Sequence, residues 1–217
     1  GITSNNSVSV SGGGAASSYY MSYSYFDQKG TVPNSDYVRH SLFTKFTNKI
    51  TDKLTSTIQV TYSGSKSNRK PEGYALESPI WTIYSAPVSW NPLPYLNEDG
   101  SQRVFRFSRN NPYWVLDNIN LAATVNRVIP VMTFNYNPTN WLTITERLGA
   151  DLYAEQAKYV EAPSSALASV GHIIDQNTNF RQFNNDFIIN AHKEFGKFNT
   201  NVLLGSNVLS TYSQYHR

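Results

Sequence analysis

"KLTSTIQVTYSGS", Lys53 to Ser65, decides how the rest of the chain is read. Its even positions are Leu54, Ser56, Ile58, Val60, Tyr62 and Gly64; its odd positions are Lys53, Thr55, Thr57, Gln59, Thr61 and Ser63. Side chains alternate between the two sides of an extended backbone, so this stretch has one largely apolar face and one wholly polar face. Such a strand separates two different solvents. Composition narrows the choice of solvents. Of 217 residues only 15% are charged, whereas Asn, Ser and Thr number 23, 25 and 17 and tyrosine 15. A typical cytosolic domain carries about a quarter charged residues. Uncharged polar groups in that number suit a wet barrel lumen or an extracellular sandwich.

Other classes fall away. A net charge of +3 without a dense basic tract gives no footprint for nucleic acid. The absence of cysteine excludes disulfides, thiolate metal sites and cysteine catalysis. The opening "GITSNNSVSV" is no signal peptide. The chain also lacks the run of about 18 apolar residues that a transmembrane helix needs, which leaves membrane-spanning strands open.

Eight segments alternate like the first: 5–12, 17–28, 36–49, 53–65, 123–136, 140–154, 179–194 and 197–211. The third sets Val38, Leu42, Phe46 and Ile50 against Arg39, Ser41, Lys45 and Lys49. The seventh sets Phe183, Phe187, Ile189 and Ala191 against Gln182, Asn184, Asp186, Asn190, His192 and Glu194. In the eighth, Leu203 falls on the otherwise polar face. Several segments run far beyond the globular mean of about 5–6 residues and reach the roughly 9–11 that a tilted strand needs to cross a bilayer. Short and long connections alternate, and the two longest are 66–122 and 155–178. Tight turns at one end and long loops at the other describe an antiparallel up-and-down barrel in an outer membrane. Lipid would touch the Leu54 and Ile58 face, and water the Thr55 and Gln59 face. Tyr19, Tyr20, Tyr25, Phe26, Tyr37, Tyr136, Trp141 and Tyr153 would form the interfacial girdles.

Chemistry concentrates in the long loop 66–122, which holds six of ten prolines and Trp81, Trp90 and Trp114. Arg103, Arg106 and Arg109 sit together in "QRVFRFSRNNPYW". Aromatic and arginine side chains anchor binding surfaces, so these six residues are the candidates for contact with a solute or a lid. The plainer reading packs the rings against the barrel rim. His192 and Glu194 share a strand face with Asp186, an arrangement that a solvated lumen explains as well as a metal does. Glu146 and Asp151 are an odd number apart and point to opposite faces, which speaks against a paired-carboxylate active site. That parity places Glu146 among Leu142, Ile144 and Leu148, where it needs an interface or a partner such as His40 or Arg127. No catalytic cluster, metal or cofactor is expected.

Two long stretches carry a family resemblance. "SVSVSGGGAASSYYMSYSYFDQKGTVPNSDYVRHSLFTKFTNKITDKLTSTIQVTYS" (7–63) pairs a Ser/Gly turn and a Tyr-Tyr strand with Asp-x-x-Arg opening the next strand. "NPYWVLDNINLAATVNRVIPVMTFNYNPTNWLTITERLGADLY" (111–153) holds Asn-Pro-Tyr-Trp, an Asn-Arg strand and Leu-Gly-x-Asp. Both resemble the barrel of SusC/RagA-like TonB-dependent outer-membrane transporters. The resemblance implies part of a barrel, about eight of 22 strands, without the plug domain. It further implies import of a glycan or peptide, a SusD-like surface lipoprotein as lid, and TonB acting through the plug. Pro130 stands where the family has glycine, and because proline cannot donate to a ladder and normally marks an edge or bulge, its effect on strand pairing is left open by the sequence. Two other readings are a small outer-membrane barrel enzyme with its site at the external rim and a soluble β-sandwich for binding or adhesion.

Overall fold

A computed structural model describes residues 1–73 and 76–217. Its strands are β1 (Thr3–Gly13), β2 (Ser17–Lys29), β3 (Asp36–Lys49), β4 (Leu54–Arg69), β5 (Ile119–Thr139), β6 (Leu142–Glu161), β7 (His172–Phe195) and β8 (Phe198–His216). They lie in chain order in one sheet, each antiparallel to the next, and β1 does not close onto β8. Two short helices, α1 (Pro79–Ser85) and α2 (Pro112–Asn118), lie between β4 and β5.

Register ties the alternation in each strand to that of its neighbours. Ile58 pairs with Phe46 on one side and Met132 on the other, and the row runs on from Tyr19 to Leu148. The next row toward the long loops contains Met21, Val60, Pro130 and Phe183, and the one beyond it Tyr23, Leu42, Tyr62, Val128 and Leu152. Ile58, Phe46, Leu148 and Phe183 are all exposed. The opposite face is a hydrogen-bonded polar lattice. Thr47 meets Thr57 at 3.2 Å, Thr145 donates to Asn135 at 2.8 Å, and Arg127 Nε donates to Asp151 at 2.8 Å. Arg147 faces Asp186 at 3.7 Å, and Asn207 bonds both Asp186 and Asn184.

Among the described residues, the buried hydrophobics are Trp114, Val115, Ile119 and Ala123. A soluble sandwich would bury one whole face of its sheet against a second layer. This sheet is a single layer with its apolar rows uncovered, which sets the sandwich reading aside. Hydrocarbon is the solvent that such rows match.

Several expectations are corrected. The loop expected at 66–122 contracts to 70–118, and that at 155–178 to 162–171, because β4 to β7 continue past the apolar band. Paired residues there, such as Gln156 with Asn177 and Lys158 with Asp175, make the outward face polar as well, so the apolar-out alternation disappears while the ladder continues. Pro130 leaves β4–β5 pairing continuous, with Val60 opposite it. Toward β6 the pairs resume in unchanged register, Val128 with Leu152 and Val131 with Gly149. The ladder to β6 therefore breaks at residues 129 and 130, on one side of Pro130 only, and a shift in register lies further on, between Tyr136 and Thr139. Glu146 does face the apolar side, but its partner is neither His40 nor Arg127. The Asn185 amide donates to its carboxylate from β7, while His40 bonds Tyr23 Oη at 2.7 Å and Arg127 takes Asp151.

Candidate functional site at the mouth of the wall

The long β4–β5 loop folds over the polar face of the sheet at its loop end. Parity runs from Thr57 and Gln59 through Arg69, opposite Leu121, to Tyr159 on β6, so Ile119 and Glu161 share that face. Trp114 (5% exposed), Val115 and Ile119 (both 0%) form the small core, with Tyr95, Tyr159 and Ala162 packed against it. The loop thus curls inward over the space that the polar face borders.

Local chemistry fixes both helices. Ser78 Oγ caps α1 by accepting from Trp81 N at 3.3 Å, and Asn111 Oδ1 caps α2 by accepting from Tyr113 N at 2.9 Å; a proline follows each cap. Proline at the first helical position loses no hydrogen bond and presets the backbone. Asn111 also donates at 2.8 Å to both Pro92 O and Arg103 O. Its neighbour Asn110 receives Gln102 Nε2 at 3.0 Å and Ala166 N at 2.7 Å, and donates to Ser165 Oγ at 2.9 Å. Asn111 thus ties the long loop to itself, and Asn110 ties it to the β6–β7 loop. The sequence reading singled out their stretch for its arginines and tryptophan and missed the asparagines. Asn-Pro as a helix start was the available signal.

Below them, the buried Glu161 carboxylate receives the Ser165 hydroxyl, Tyr159 Oη at 3.3 Å and His172 Nδ1 at 3.3 Å. Lys70 Nζ donates to Ile119 O at 2.8 Å. Burial lowers the Lys70 pKa, and the Asp117 carboxylate opposes that shift. Asp99 is held below the usual carboxylate range by the Ser101 hydroxyl and amide, which fixes the 97–101 turn.

The six candidate residues divide. Trp114 is core. Arg109 is buried, with Nη1 3.4 Å from Ser108 O and no hydrogen-bond partner for Nε among the described residues. Trp90 packs against Phe105 at a ring separation of 5.2 Å, and Arg103 Nη1 donates to Leu93 O at 3.1 Å. The Arg106 backbone carbonyl accepts from Arg109 N. Trp81 lines a cavity of about 400 Å³ together with Ile80, Tyr84, Val32, Arg69 and Lys70. Tyr74 and Ala75, also in the expected loop, lie outside the described residues. Among the described residues, no three His, Cys, Asp or Glu side chains gather to hold a metal ion.

A single curved meander, apolar outside and polar inside, with a structured loop turned over its inner rim, defines a section of outer-membrane β-barrel wall. Comparison with known proteins specifies the type. TonB-dependent receptor P26 of Formosa agariphila is 25% identical over 210 residues, 93% of this chain and 20% of the receptor. The RagAB peptide importer in its closed-closed state superposes with a TM-score of 0.79 at 17% identity, over 98% of this chain and 25% of that one. Its open-open state gives 0.75 at 19% identity, over 98% and 24%. No family model matches the chain. The chain is thus similar to a stretch of TonB-dependent receptor barrel, shares the fold of the RagAB barrel wall, and spans about a fifth of the curated relative's length.

Proposed function

We propose that the protein containing this chain imports a large nutrient, a glycan or a peptide, across the outer membrane of a Gram-negative cell by TonB-dependent transport. This stretch supplies lipid contact, part of the lumen wall and part of the mouth. The observation that carries the reading is the inward fold of the 70–118 loop. It places a cavity lined by Trp81, Tyr84 and Arg69 on the side of the wall bordered by Gln59, Arg127 and Arg147. A solute entering past the rim meets stacking surfaces and guanidinium donors first, then a lattice of short polar side chains. In this reading a SusD-like surface lipoprotein covers the long-loop end, and TonB acts through a plug inside the barrel.

Within the loop, Trp81, Trp90, Arg103 and Arg106 are assigned to solute or lid, while Trp114 and Arg109 hold the loop in place. The test is uptake by cells carrying the intact transporter with Trp81→Ala, Trp90→Ala or the pair Arg103→Ala and Arg106→Ala. Uptake should fall while the amount of assembled barrel stays constant. Unchanged uptake in all three would return these side chains to packing. The matched proteins are by name a receptor and an importer, which favours transport over an enzyme at the rim.

A further inference from the structure

Arg181 interrupts an otherwise apolar and aromatic row on the outward face. The row reads Tyr23, Leu42, Tyr62, Val128, Leu152, Arg181 and Tyr212. The side chain is exposed, and no residue among those described engages it. The inward-facing Arg127 and Arg147, by contrast, each have an aspartate. Nor is a carboxylate free nearby: the outward acids of β6 and β7 are Glu146, held by Asn185, and Asp175, held by Lys158 at 3.8 Å.

Its height explains why an unpaired guanidinium is tolerated there. Ala191 pairs with Leu142 beside Trp141, at the short-turn end of the apolar band, and Arg181 lies ten residues before Ala191 on β7. At roughly 3.3 Å per residue and a tilt near 40°, those ten residues climb about 25 Å, the height of the apolar band of an outer-membrane barrel. Arg181 therefore sits at the upper boundary, where an arginine costs little. Grooves flank it on both sides. One, of about 490 Å³, is lined by Asn126, Leu152, Asn179 and Phe183; the other, of about 300 Å³, by Phe183, Ser210, Tyr212 and Gln214. Amides stand level with or above the guanidinium, and Phe183 (54% exposed) and Leu148 form an apolar wall below it.

We propose that Arg181 and these grooves bind a phosphate-bearing lipid of the outer leaflet. The planar guanidinium matches a phosphate with two parallel donors. Asn126, Asn179 and Gln214 offer further polar contacts to the headgroup, and an acyl chain lies along Phe183 and Leu148. The site rests on the reading of the chain as outer-membrane wall with its long loops external.

The test uses the intact transporter in phosphatidylcholine nanodiscs doped with lipid A, with retained lipid counted by native mass spectrometry. Arg181→Gln should lower lipid A retention about fivefold, as expected for losing one basic side chain at an anionic surface. Arg181→Lys should fall between the two, because it keeps the charge and loses the fork. It carries the test should Arg181→Gln fail to assemble. Dephosphorylated lipid A should be retained equally by all three proteins. Equal retention of lipid A by wild type and variants would overturn the proposal. So would an equal drop with the dephosphorylated lipid, or a second copy of the transporter occupying the face without lipid. Ile58→Arg in the same preparation separates the two levels of inference. If it assembles as wild type does, the membrane reading fails; if it is impaired while Arg181→Gln keeps its lipid A, only the lipid site fails.

Discussion

Placing an arginine at Ile58 and, separately, at Thr57 tests the assignment of the two faces most directly. Ile58 lies four residues into β4, about 10 Å above its start for a strand of ordinary rise and tilt, and so near the middle of a band about 25 Å tall. It is 39% exposed on the outward face, between Phe46 and Met132 in the register, and none of these neighbours is charged. An arginine there has no partner and must drag water or headgroups toward the midplane, at a cost of about 2–4 kcal/mol. That lowers the folding equilibrium constant roughly 30- to 700-fold. Thr57, one residue away, faces the polar lattice, where its hydroxyl meets Thr47 at 3.2 Å. Arginine there forfeits one partly exposed hydrogen bond, about 0.5–1.5 kcal/mol, and keeps its charge in water. Urea titration of the intact protein folding into lipid vesicles measures both. A loss at Thr57 equal to that at Ile58 would refute the assignment, because one-residue parity is its whole basis.

Asn111→Ala should open the mouth loop. It removes the α2 cap and two buried donors, about 2–3 kcal/mol of local stability, read as faster hydrogen exchange and proteolysis across 92–113 with the barrel strands unaffected. Glu146→Gln should be neutral or stabilise the folded barrel by up to about 1 kcal/mol in the same urea titration, since the amide keeps a partner at Asn185 and no charge faces lipid. Lys70 supplies a pH dependence. Its pKa is lowered in the folded chain, so between that value and the unfolded one near 10.4 the folded loop binds fewer protons. Loop stability should therefore rise with pH across that window, seen as slower proteolysis of the intact protein relative to Lys70→Met, which removes the dependence.

Parity was legible in the sequence because it is local. Leu54, Ile58 and Tyr62 occupy one side whatever else the chain does, and the register preserves the faces read for β3, β4 and β7. Even Leu203 stays on the polar side, opposite Asn190. Strand ends were not legible where both solvents are water: Gln156, Lys158, Asp175 and Asn177 carry no apolar partner to mark a period. The mouth was half legible. Tryptophans and arginines stand out by type, but whether a ring stacks on a solute or fills a core depends on long-range contacts such as Trp114 with Tyr159. The amides that hold the loop share their composition with every turn in the chain.

The junction of α2 and β5 has a mechanical consequence. Asn118 ends the helix and Ile119 begins the strand with no residue between them, while Ala162 N donates to Asn118 O at 3.0 Å and Asn34 donates to Leu116 O at 3.1 Å. That side of the loop is built into the masonry of the wall and cannot swing as a flap. In the proposed transporter, any movement of the loop would have to be taken up on the opposite arm, between α1 and the Asn111 tether.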